Sequence, residues 1–351
     1  MQVLTEAQTR ALVSAAEANA VVEEAYADYG REGDVTADPP MALMVVPHEV
    51  PSICSTKGSF LTRRGLFGVR IGMQNGNHYS TVHDSHSAKI LGLVDETWLA
   101  RRRVGATAAV AAKHLANPDA KVIGLIGAGQ LMEEVYLCMP EIFPRAEYRI
   151  ASRTFEGAQA FAQRLGIAGR PALRAVPSAA AAVDGADVVV TITIAQEPMI
   201  FAGMLKPGAT VLSMGGAPEV DFSVLPEFDR VVVDEFDYAA FRGDFADWIK
   251  KGHITVEALR ARVDANIGEV VAGLKNIRGT AGQRVLAVIQ GMAVCDLAMA
   301  AFCIDKAART GAGTFVPGIA GKPAPLAPQA NSPASRIAAE LKASRARSKQ
   351  Q

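Results

Sequence analysis

Three stretches of the chain combine residue types at spacings that could do chemistry. The first starts at Lys121: the apolar run Val122 to Ile126 leads into Gly127-Ala128-Gly129, and Gln130 and Leu131 then open an amphipathic pattern. A buried strand, a glycine turn and a helix start make a cradle for a dinucleotide. Gly127 permits the tight turn, Gly129 lets the backbone approach a pyrophosphate, and the amides at Gln130 and Leu131 face the negative charge. The third small position of that fingerprint is Met132. A plain strand-to-helix turn in another α/β fold is therefore the alternative.

The second stretch is Ser152-Arg153-Thr154, at the tip of the next strand pattern, with no carboxylate before Glu156. A carboxylate there would accept the ribose hydroxyls of NAD(H), whereas a guanidinium with hydroxyl neighbours suits a 2′-phosphate. NADP(H) is favoured over NAD(H). An exposed arginine beside a helix cap is the competing reading. The third stretch is Arg101-Arg102-Arg103, near the start of a helical pattern from Glu96 to Ala116. Cations in a first helical turn oppose the helix dipole, at up to about 1 kcal/mol per exposed charge. One of them is suited to hold an anion; a solvated charge run is the other reading.

The elements that must position these groups follow from apolar periodicity. Strand candidates at Val122–Ile126, Glu147–Ala151, Ala172–Val176, Asp187–Ile192, Thr210–Met214 and Arg230–Val233 alternate with helical segments, which predicts a doubly wound parallel sheet of Rossmann type. Upstream, helices are expected from Glu6 and from Ala15 to Tyr29, closed by Gly30 and Gly33. Strands then follow at Ala42–Val46, around Ile53, and at Gly68–Ile71, Tyr79–His83 and Ile90–Val94, the last two joined by a hairpin through Asp84-Ser85-His86-Ser87. Downstream, Ile254–Val263 reads as a helix. Val285 to Ala308 reads as one long apolar helix, with a break near Gly291, that returns the chain to its first domain.

Composition limits the rest. Apolar residues make up 50% of 351, and Lys+Arg equals Asp+Glu at 36 each, so the chain can bury a large core and carries no basic excess for nucleic acid. Four cysteines, Cys54, Cys138, Cys295 and Cys303, stand apart and read as reduced core thiols. With neither a signal-like start nor a membrane-length apolar run, a cytoplasmic protein is expected. His78, His83 and His86 lack companion ligands, so no metal is expected; His83 and His86 should point to solvent at the hairpin. The Pro/Ala-rich segment after Lys322 and the basic end from Arg336 read as a disordered tail.

Over about residues 5 to 313 the order of parts resembles the ornithine cyclodeaminase/μ-crystallin family. The strings that carry the resemblance are Gly68-Val69-Arg70-Ile71, the run from Trp98 to Ala109, the Gly127-Ala128-Gly129 turn and Gly291-Met292-Ala293-Val294-Cys295-Asp296-Leu297-Ala298. The resemblance implies a Rossmann domain, residues 119–305, inserted into an α+β substrate-binding and dimerisation domain, residues 1–118 plus 306–320, with the tail at 321–351. It implies that Arg103 grips a substrate carboxylate and that Arg70 stands where relatives have a lysine. Lys57, in place of a methionine, could enter the same pocket. Thr193 and Met292 match positions near the nicotinamide.

Two departures bear on mechanism. The arginine expected after Pro39-Pro40 is Met41, and the family's catalytic aspartate falls on Ala217, leaving Glu219 and Asp221 as nearby substitutes. The activity implied is an NADP(H)-dependent reduction of an α-imino acid or cyclic ketimine carboxylate by a homodimer. An ornithine or related cyclodeaminase with tightly held NAD(H), and a nucleotide-binding protein without catalysis, are the rivals.

Overall fold

The computed structural model describes residues 1–32, 43–45, 54–73, 76–166 and 169–317. Met41, the segment around Ile53 and the tail from 318 onward lie outside them. The chain opens with β1 (Gln2–Leu4), α1 (Glu6–Leu12) and α2 (Ala15–Glu32), then β2 (Leu43–Val45), β3 (Cys54–Leu61), β4 (Leu66–Met73), β5 (His78–Asp84) and β6 (Ile90–Asp95). Gly30 does not close α2, which runs on to Glu32. Its role is close approach: a Cβ there would lie 2.0 Å from the carbonyl oxygen of Gly268, so only glycine lets the two backbones touch.

Helix α3 (Leu99–Leu115) follows, starting three residues after the expected Glu96. Ala106 through Ala112 are all buried, because α2, α4 and the last helix pack around it. Small side chains suit a helix enclosed on several sides.

The second unit runs β7 (Val122–Ile126), α4 (Gln130–Cys138), β8 (Glu147–Ala151), α5 (Phe155–Arg164), β9 (Leu173–Ala175), α6 (Ala179–Val183), β10 (Val188–Thr191), β11 (Thr210–Ser213) and β12 (Arg230–Val233). Then come α7 (Phe236–Phe241), α8 (Asp244–Lys250), α9 (Val256–Arg262), β13 (Ala265–Asn266), α10 (Ile267–Val271) and β14 (Val285–Val288). All pair in parallel in the order β13-β12-β14-β11-β10-β7-β8-β9, a doubly wound sheet. Strands buried on both faces read as continuous Val/Ile/Leu runs, as β10, β11 and β14 do.

Val285–Val288 is a strand, inserted between β11 and β12, and not the first turns of a long helix. Four buried apolar residues do not distinguish the two by periodicity. The helix proper, α11 (Ala293–Thr310), starts after Gly291 and lies on the first sheet, with Leu297 against Gly68 and Ile304 against Gly92. After it, β15 (Thr314–Phe315) pairs with β1, completing the order β15-β1-β6-β5-β4-β3-β2.

Candidate active site

The turn after β7 has the shape of an anion cradle. Gly127 sits at φ +110°, and a Cβ on it would come 2.5 Å from the Ile192 carbonyl oxygen, so glycine is required twice over. A Cβ on Gly129, by contrast, would meet nothing within 4 Å. That leaves an open space in front of Gln130 and the exposed Leu131, where α4 begins and its amides are unpaired by the helix. These residues fit a dinucleotide pyrophosphate, and Ala128 lines the same turn.

At the tip of β8, Ser152 Oγ donates to the Thr154 carbonyl (2.7 Å), and Thr154 Oγ1 accepts from Gly157 N (3.1 Å) as the cap of α5. Arg153 between them is exposed. Thr193, just beyond β10, gives its amide to Glu219 Oε1 (2.6 Å) while its hydroxyl accepts from Ala195 N (3.2 Å). Met292, 3% exposed, is the residue before the first turn of α11.

The cations of the first domain converge beside that helix start. Three consecutive arginines in α3 are separated by helical geometry. Arg103 turns inward, where its Nε donates to Asp296 Oδ1 at 2.6 Å and its Nη1 lies against Gly291. Arg102 turns toward α4 and meets Glu134 at 3.0 Å, with its guanidinium over the Trp98 ring. On the sheet, Lys57 and Arg70 face one another across the β3–β4 register. Lys57 Nζ donates to the Gly291 carbonyl (3.3 Å) and sits 4.6 Å from the Tyr238 ring centre. Arg70 Nε is 3.1 Å from Glu96 Oε2. Lys57, Arg70, Ser80, Ala293 and Leu297 are among the residues lining one narrow depression.

Electrostatics divide these groups. Burial lowers the proton affinity of Lys57, and Arg103 and Arg70 add to the effect against Tyr238 and Asp296. Burial would raise the Asp296 carboxyl, but Arg103, Arg70 and Lys57 outweigh it and hold the group ionised. Glu96 goes the other way: burial, then the Asp296 charge, push it up to about 8 despite Arg70. His78, with its ring over Gly72, is pushed down to about 4 by burial and by Arg70, so it is neutral at pH 7.

Several sequence readings change. Glu219 does not replace the missing aspartate. It is fully buried, accepting from Thr191 Oγ1 (2.7 Å), Thr193 N (2.6 Å) and Gly215 N (2.8 Å), so its carboxylate clamps the ends of β10 and β11. Asp221 caps the turn at Phe222 through Ser223 N (2.9 Å). His83 is half-buried and stacks on Phe67 at 4.7 Å, whereas His86 is exposed. Among the described residues no group of His, Cys, Asp and Glu could hold a metal, and no helix is long and apolar enough to cross a membrane.

Asp296, Glu96 and Tyr238 escaped the sequence reading. Asp296 did carry a signal, as an acid in the first turn of an apolar helix.

A sequence profile described as the ornithine cyclodeaminase/mu-crystallin family matches residues 67–311. The chain belongs to this family. The ketimine reductase mu-crystallin of Macropus fuliginosus is 28% identical over 265 residues, which is 72% of this chain and 81% of that protein. Among solved structures, the Thermococcus litoralis Delta(1)-pyrroline-2-carboxylate reductase in complex with NADH and L-proline aligns at TM-score 0.81 and 23% identity, covering 90% of this chain and 100% of that one. An archaeal alanine dehydrogenase dimer with bound NAD aligns at TM-score 0.80 and 24% identity, covering 90% and 98%. The family's fold is thus the fold of this chain.

Proposed function

We propose that this protein is a nicotinamide-nucleotide-dependent reductase of α-imino acids or cyclic ketimine carboxylates. The observation that carries the reading is the gathering of Lys57, Arg70 and Arg103 around Gly291 and the start of α11, just past the C-terminal end of β14. Ligands of doubly wound sheets bind off the carboxyl ends of the strands, and the ends of β7 and β14 lie on the same edge of one parallel sheet, which supports an anion site here working with the turn after β7. The relatives named for ketimine and pyrroline-2-carboxylate reduction support the same chemistry.

Arg103 is the carboxylate anchor. Its Nε is fixed by Asp296, which aims the remaining edge of the guanidinium, and a guanidinium fork matches a carboxylate. Arg70, restrained by Glu96, and Lys57 add positive charge to the pocket. Gly127, Ala128, Gly129, Gln130 and Leu131 would hold the pyrophosphate, with Thr193 and Met292 near the nicotinamide. Bound there, the reduced nicotinamide supplies a hydride to the imine carbon.

Ser152, Arg153 and Thr154 favour NADP(H). Cyclodeamination requires water to add at an imine carbon, and with Ala217 in place and Glu219 sealed among strand ends, neither is set to activate that water.

We further read the protein as a homodimer. The face of the first sheet opposite α11 carries Phe60, Ile71 and Tyr79, exposed by 42%, 51% and 43%, and apolar side chains grouped on one sheet face mark an interaction surface.

The deciding experiment follows NADPH and NADH oxidation by the reduced-nicotinamide absorbance, against cyclic ketimine carboxylates and 2-oxo acids mixed with ammonia or methylamine. Oxidation with any of them is the expected result. Tight nucleotide binding with no turnover on the whole panel sinks the reductase reading.

A further inference from the structure

Reducing a C=N bond needs a proton for nitrogen as well as a hydride for carbon. The obvious donors are unsuited. Position 217 is alanine, and Glu219 is enclosed by its own hydrogen bonds. His78 is neutral at pH 7, and both oxygens of Glu96 are sealed against the protein.

What occupies the neighbourhood of position 217 comes from α7 and the residue after it. Arg242 lies over Gly216, so that a Cβ there would be 2.2 Å from its Nε. Tyr238, on α7, is buried between this guanidinium and the Lys57 ammonium that rests on its ring. Its backbone amide is held by Glu235 Oε2 at 2.7 Å, which fixes the start of the helix. The phenol therefore joins the loop that lost its carboxylate to the cation cluster of the substrate sheet.

We propose that Tyr238 is the catalytic proton donor of this site, with Lys57 and Arg242 stabilising the phenolate it leaves. The role rests on the reductase reading above. As the imine carbon gains a hydride from the reduced nicotinamide, the C=N π pair moves onto nitrogen and takes the phenolic proton. One C–H and one N–H bond form, the phenolic O–H bond breaks, and the phenolate is reprotonated from solvent.

The electrostatics agree with that role. Burial works against ionising Tyr238, yet Lys57 from β3 and Arg242 beyond α7 outweigh it and hold the phenol below its ordinary range. Asp296 from α11 and Asp234 at the end of β12 favour the charged form of Lys57, opposing the burial that on balance lowers its proton affinity. Burial pushes Tyr26, Tyr29, Tyr136 and Tyr148 the opposite way.

The test is the pair wild type and Tyr238→Phe, which keeps the ring under Lys57. In a near-ultraviolet phenolate titration without substrate, the wild type should show one phenol ionising early, absent from Tyr238→Phe and moved to higher pH in Lys57→Met. Turnover by Tyr238→Phe should fall about 100-fold or more, the range of general acid catalysis, with NADPH affinity kept and the high-pH fall of the wild-type rate lost. No early phenol, or turnover within about threefold of wild type with an unaltered pH profile, overturns the assignment. If the wild type reduces no imine while its early phenol is still present, the reductase reading itself has failed and the donor role goes with it.

Discussion

Arg103 on α3 and Asp296 on α11 are 193 positions apart in sequence and joined by a 2.6 Å hydrogen bond, with both side chains almost wholly buried. Breaking such a pair from one side leaves an uncompensated buried charge, which costs about 3–5 kcal/mol. Asp296→Asn should lose stability on that scale in denaturant unfolding. Arg103→Lys keeps the charge but loses the fork, and a charged hydrogen bond is worth about 1.5–3 kcal/mol. KM for the imino acid should therefore rise about 10- to 100-fold while nucleotide affinity stays put. An unchanged KM removes Arg103 as the anchor.

Glu96 gives the site a pH signature. Its carboxyl is raised from an ordinary 4.5 to about 8 in the folded protein. The native state therefore holds a proton that the unfolded chain has lost between those values. The resulting stabilisation is fully present below pH 4.5 and is lost as pH rises through 8. Melting temperatures of wild type and Glu96→Gln, compared from pH 5 to 9, should show a downward slope in the wild type that the variant lacks. Parallel curves would show that Glu96 is ionised throughout.

Two glycines make opposite predictions. Gly30→Ala places a methyl 2.0 Å from the Gly268 oxygen, in backbone that has little room to move. It should destabilise by at least about 1–3 kcal/mol, the usual cost of overpacking. Gly129→Val puts its side chain into open space at φ −92°, so the melting temperature should stay near wild type. Nucleotide affinity should fall at least about tenfold by fluorescence titration. Tight binding by Gly129→Val would place the pyrophosphate elsewhere.

Arg153 is exposed at the tip of β8. Arg153→Ala should weaken NADPH about 10- to 100-fold, the worth of one charged hydrogen bond, and leave NADH and stability unchanged. Equal losses for both nucleotides would remove the 2′-phosphate assignment.

Ile71 and Tyr79 are directly paired across β4 and β5 on the exposed sheet face. Ile71→Asp should shift the protein from dimer to monomer in sedimentation. A wild type that sediments as a monomer ends the dimer proposal.

Much of the fold was legible locally, because burial writes a period into the chain. The βα units from β7 to β12 each show an apolar run with turn residues at its ends, and the glycine turn declares itself through Gly127, whose backbone no other residue adopts easily. β14 was misread for the converse reason: Val285-Leu286-Ala287-Val288 is buried on every side, so it has no period, and it abuts the apolar start of α11. Residues enclosed all round look alike as helix and as strand.

The site divides along the same line. The sequence by itself determined the glycine turn between β7 and α4, the cationic character of the start of α3 and the absence of a carboxylate at position 217. Only the tertiary structure decided that Arg103 faces inward while Arg102 grips Glu134, that Lys57 stands opposite Arg70, and that Glu219 is sealed as a clamp. It alone brought Tyr238 to Lys57. A turn or a cap is made by neighbours in the chain and leaves a local pattern. A charge finds its partner wherever packing brings one to within a few ångströms, and distance along the sequence carries no trace of that encounter.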